Sequence, residues 1–150
     1  MEVYRLCNQQ EFNTLKKSKS FENLGSFCEN NPNKNNYQYN KHIKYLHFFK
    51  NIYGILYLKV AKDRYILVLD IPDEILNQHI GKGKYLDFVN LENLHLLDEF
   101  AIMSKDVKFE YLKKIYKINQ DKDFDYYPSE NEIYQCLDAV DLFAENDLEK

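Results

Sequence analysis

Tryptophan is absent from this chain, cysteine is scarce, and only two of its twenty basic residues are arginine. Each shortage excludes something. Cys7, Cys28 and Cys136 lie far apart with no CxxC among them, so neither a zinc site nor a disulfide framework is expected. They read as thiols of a reducing cytoplasm. His42, His79 and His95 lack partners at i+3 or i+4, and no metal is expected. No run of ~18 apolar residues exists to cross a membrane. The opening MEVYRLCNQQ has no basic stretch followed by an apolar one, which predicts no secretory signal and a cytoplasmic protein.

What is present is a foldable chain. Apolar residues make up 45 % and aromatics 15 %, all Tyr and Phe, too hydrophobic for disorder. A length of 150 residues fits one domain able to bury its own core. The net charge of −4 is unevenly spread: residues 121–150 hold ten acids against two lysines, and the rest of the chain is mildly basic. An acidic tail on a basic body suggests a solvated face or a partner contact. Eighteen lysines stand against Arg5 and Arg64. In so lysine-biased a chain, arginine marks a place where a planar, always-charged fork is required and Lys would fail.

The residue pattern predicts strands over Glu2–Leu6, Lys44–Phe49, Arg64–Ile71, Glu99–Met103 and Phe109–Ile118. It predicts a helix over Gln9–Lys19, capped by Asn8 with Phe12 and Leu15 on its buried face, and one or two helical turns over Asp73–Gln78. Residues 21–42, dense in Asn, read as a long loop. Residues 50–60 suit either a helix or a strand. Ser129 and Glu132 form a capping-box pattern. Ile133, Leu137 and Val140 then follow at helical spacing, predicting a docked helix over 129–145. The fold class is α+β with a split, mainly antiparallel sheet and flanking helices. Residues 1–120 form the domain. Residues 121–150 add an acidic linker and a C-terminal helix packed on it, a candidate contact for a homodimer.

Two patches stand out: VYRL, with Arg5 among apolar neighbours, and DEFAI, with Glu99 opening a late strand. Between them KYLHFF carries His47. An Arg on the first strand, a polar residue on a middle strand and a Glu on a later one resemble the ADP-ribosyltransferase superfamily. The resemblance implies an NAD-dependent transferase with a catalytic Glu99 and an NAD-binding Arg5. His47 stands where a Ser is common, and Tyr4, Phe48 and Phe49 line the pocket. Such a reaction passes through an oxocarbenium-like state, which a carboxylate stabilises and which needs no metal. Enzymes of this kind that modify protein arginine carry Glu or Gln two positions before the catalytic Glu. Here that position is Leu97, which disfavours an arginine acceptor and leaves another protein side chain, a nucleic acid, a small molecule or water. The alternatives are an NAD glycohydrolase and a catalytically silent binding module for protein or nucleic acid. Small size, compositional bias and the lack of targeting suggest a toxin or a factor in phage–host conflict. GKGK at Gly81–Lys84 lacks the spacing of a phosphate loop. Tyr37, Tyr39 and Tyr45 interleave with Lys34, Lys41 and Lys44, a pattern that suits single-stranded nucleic acid or a nucleotide cover.

Overall fold

The computed structural model describes residues 1–24, 45–50, 52–53, 61–78, 99–122 and 128–142, with positions 99–101 at backbone level. The expected features at 25–44, at 54–60 and at 79–98, the GKGK stretch and the three isolated histidines included, lie outside the described residues.

Six strands form one sheet: β1 (Glu2–Cys7), β2 (Tyr45–Phe49), β3 (Tyr65–Asp70), β4 (Glu99–Met103), β5 (Leu112–Ile118) and β6 (Leu137–Val140). Their order is β4–β2–β1–β3–β5–β6 and every pairing is antiparallel. The α+β class is thus observed. The sheet is continuous across these six strands rather than split.

The YILVL run of β3 is buried from Tyr65 to Leu69. A strand that apolar throughout needs cover on both faces, and the sheet supplies it. On one face Val3, Cys7, Phe48, Leu67 and Leu69 pack with Phe12 and Leu15 of helix α1 (Gln9–Ser18). On the other, Leu6, Ile66, Val68 and Ile118 pack with Ile52 and with Ile133 of a short helix, α3 (Glu130–Tyr134). Between them in the chain, α2 (Asp73–Gln78) starts after Pro72, whose carbonyl accepts from the Ile75 and Leu76 amides.

Helix α1 is set by its ends. The Asn8 side chain accepts the Glu11 amide at 2.9 Å, satisfying one of the orphan donors of the first turn. Lys19, at φ 53°, closes the helix in the left-handed region with its amide on the Leu15 carbonyl. The Phe12 ring stacks on Tyr65, with centroids 4.0 Å apart and planes 1° from parallel, which fixes α1 across β3.

The C-terminal region departs from the expected helix over 129–145. The capping box forms, with Ser129 and Glu132 bonded reciprocally, but α3 lasts five residues. The chain then extends into β6 and pairs with β5, Leu137 opposite Ile118 and Val140 opposite Ile115. The burial explains the change. On a helix Ile133, Leu137 and Val140 would share one stripe. On a strand positions 137 and 140 fall on opposite faces. Leu137 packs with Ile133 and Ile118, and Val140 with the α1-side core. Pairing with β5 outweighs a weak local preference.

Candidate functional site

Arg5 lies in the middle of β1 and is 4 % exposed. Its guanidinium grips Glu11 on α1: Nη2 donates to Oε1 at 2.7 Å and to Oε2 at 3.0 Å, and Nε donates to Oε2 at 3.2 Å. Nη1 donates to the backbone carbonyl of His47 at 3.3 Å. Glu11, 5 % exposed, also accepts the Leu24 amide at 2.8 Å. The strand–helix connection makes this possible. With Asn8 as the cap, Glu11 falls in the first turn, where the helix end favours an anion, and its carboxylate reaches back to β1. One buried ion pair therefore ties together β1, α1, β2 and the segment beyond α1. The resemblance marked Arg5 and passed over its partner. The signal for Glu11 was Asn8-x-x-Glu11 immediately after a strand, an acid three residues beyond the cap.

The strands expected to carry the site are neighbours. β4, β2 and β1 stand side by side, bringing together segments that begin at residues 99, 45 and 2. Their phases differ. Tyr4 pairs with Phe49, and Phe49 with Glu99, so these three positions form one cross-strand row. His47 pairs with Ala101, in the same phase as that row. Positions 5 and 48 fall in the alternate phase. Accordingly Arg5 meets Glu11 on the α1 side, and Phe48, with no exposed surface, belongs to the α1-side core. The expected residues thus divide: Tyr4, His47, Phe49 and Glu99 share one phase of the pleat, and Arg5 and Phe48 take the other.

Tyr4 opens onto a group of half-buried tyrosines. Tyr116 and Tyr134 meet edge to face at 5.6 Å, and the Tyr134 and Tyr4 hydroxyls share a hydrogen bond. Burial raises the pKa of Tyr4, and the neighbouring Glu2 carboxylate adds to the effect. Burial also raises Tyr134, reinforced by Tyr4 and Tyr116. Both are neutral rings with one polar tip, suited to stacking and to donating or accepting one hydrogen bond.

The thiol on β1 itself is not a nucleophile. Cys7 has no exposed surface; its thiol pKa is pushed far up by burial, with the Glu11 charge adding to it, so the reactive thiolate is suppressed. Among the described residues no cluster of three His, Cys, Asp or Glu is placed to hold a metal, and no helix is long and apolar enough to cross a membrane. No protein-family model, no curated protein and no solved structure matches this chain.

Proposed function

We propose that this domain binds NAD and cleaves its nicotinamide–ribose bond in the manner of an ADP-ribosyltransferase, from the sheet face that carries Tyr4, Phe49 and position 99. The observation that supports the reading is the cross-strand row Tyr4–Phe49–Glu99 on three adjacent strands. Of that row Tyr4, half-buried, offers the ring and Glu99 the carboxylate for a flat, positively charged nicotinamide, and Phe49 lies buried between them. In the reaction the C–N bond breaks and its electron pair leaves with nicotinamide. The ribose carbon gains oxocarbenium character, which the Glu99 carboxylate stabilises. An acceptor then attacks and releases a proton. The acceptor is a macromolecular group in a transferase and water in a glycohydrolase. In this reading Arg5 is a positioning residue that sets β1 against β2 and α1.

Nicotinamide release from NAD tests the reading. Glu99→Gln should slow release by ~10²–10³, the usual effect of removing one preorganised electrostatic group, and should leave binding of intact NAD much less affected. Asp98→Asn, which removes the carboxylate next to Glu99 in sequence, is the control and should leave release intact. No release by the folded wild type, or equal release by Glu99→Gln, removes the enzymatic reading.

A catalytically silent binding module is the second reading. It is favoured by the Arg5–Glu11 pair, which engages the guanidinium within the fold. Under that reading nicotinamide is never released.

A further inference from the structure

The tyrosine cluster at β1 carries negative charge at its rim. Tyr4 on β1, Tyr116 on β5 and Tyr134 on α3 pack against the core formed by Ile66, Val68 and Ile133, and each stays partly open to solvent. The register puts the two strand residues on one face of the sheet, Tyr4 opposite Val68 and Tyr116 opposite Ile66. Tyr134 crosses Tyr116 at 69° and shares a hydrogen bond with Tyr4, so the three rings hold one another in place. Two carboxylates act on them. Glu2 alternates with Tyr4 along β1, which puts both on the same face, and its charge reaches Tyr4. Glu130, at the start of α3, reaches both Tyr4 and Tyr134. Both acids are exposed, and among the described residues neither has an ion-pair partner. The face of a tyrosine ring is itself negative. Rings and carboxylates therefore attract the same sign of charge.

We propose that this cluster binds a small organic cation of the substituted-ammonium class, seated against the tyrosine rings with Glu2 and Glu130 balancing its charge. A substituted ammonium suits the place for two reasons. Its alkyl groups pack on half-buried aromatic surface, and its diffuse charge is met by the ring faces. A divalent metal instead demands several converging oxygen ligands, and among the described residues no group of three such side chains is placed to supply them. Lys114 stands on the same face, opposite Val68, and its charge opposes a cation there. The site stands apart from the proposed function, although the two share Tyr4.

Titration of the full chain with choline, followed by nuclear magnetic resonance of the tyrosine rings, tests the site. Choline should bind and shift the Tyr4, Tyr116 and Tyr134 signals. Its neutral isostere dimethylbutanol, in which carbon replaces nitrogen, should bind about tenfold or more weakly. The double variant Glu2→Gln, Glu130→Gln should weaken choline about fivefold. Its thermal midpoint should match the wild type because both side chains are exposed. Tyr116→Leu should weaken choline about threefold or more, and Lys114→Gln should tighten it. An absence of choline binding, equal affinity for the isostere, or equal binding by the double glutamate variant overturns the assignment. Weaker choline binding by Lys114→Gln overturns it too, because a cation seated on this face is repelled by that lysine. The two proposals fail separately. Tyrosine-dependent choline binding without nicotinamide release keeps the cation site and removes the NAD-cleaving reading. Nicotinamide release without choline binding does the reverse.

Discussion

The Arg5–Glu11 pair offers the sharpest energetic test of the fold. Both side chains are about 5 % exposed, and three guanidinium contacts run to one carboxylate. Glu11→Gln preserves shape and removes the charge, leaving Arg5 buried and uncompensated. Breaking a buried pair from one side costs about 3–5 kcal/mol, a large part of the ~5–15 kcal/mol that holds a domain together. With a urea slope of about 2 kcal/mol/M, the unfolding midpoint should fall by roughly 1.5–2.5 M. Arg5→Met should fall by a similar amount, because Glu11 is then the stranded charge. The double variant Arg5→Met, Glu11→Leu should recover much of the loss, since apolar replacement of a whole buried pair is often neutral. The cycle should therefore return a coupling of about 2 kcal/mol or more. Urea melts followed by circular dichroism decide it. Single variants within about 0.5 M of the wild type, or a double variant no better than the worse single, would refute the reasoning. Arg5→Lys carries the functional corollary. It keeps the charge and loses the fork, so it should destabilise in the same direction. Weakened NAD binding by that variant would identify a ligand contact only if its melt matched the wild type.

Two further outcomes follow from the same geometry. Ser129→Ala removes the hydroxyl that accepts the Glu132 amide and should cost about 1 kcal/mol, read as a lower thermal midpoint; an unchanged midpoint would mean that α3 is held by Ile133 alone. Tyr4 and Tyr134 are raised above the ordinary tyrosine range near 10. The stability this reflects is fully present below pH ~10 and is lost as pH climbs through the folded values. Ultraviolet titration of the thirteen tyrosines should show a late fraction that ionises together with the loss of circular dichroism, and Tyr134→Phe should shrink it. A single step near pH 10 in a chain that stays folded would contradict the burial.

Local elements were legible because their signals are local. Alternation in EVYRL and the unbroken YILVL run fixed β1 and β3, and Asn8 fixed the start of α1. The order β4–β2–β1–β3–β5–β6 is set by long-range pairing and leaves no mark on any one segment. That pairing also decided the C-terminal region. Ile133, Leu137 and Val140 satisfy a helical period, and Leu137 and Val140 also satisfy the two faces of a strand. The edge of β5 resolved the ambiguity. For the candidate site, residue types were readable and phase was not. Whether Arg5 and Glu99 share a face depends on the match of Tyr4 to Phe49 and of Phe49 to Glu99, and a one-residue slip in either would reverse it.

The scarcity of arginine has a related lesson. Among eighteen lysines, Arg5 was expected where a lysine would fail, and the structure gives that expectation a physical content. A lysine at position 5 would bring one ammonium point charge to a carboxylate that presents two oxygens, and would have to reach the His47 carbonyl as well. The guanidinium does both from one rigid plane. The same demand for a planar fork arises at a buried carboxylate and at a bound pyrophosphate. Rarity therefore points to a geometric requirement and is silent on whether protein or ligand satisfies it. In this fold Glu11 satisfies it, from the first turn of a helix that the Asn8 cap sets against β1.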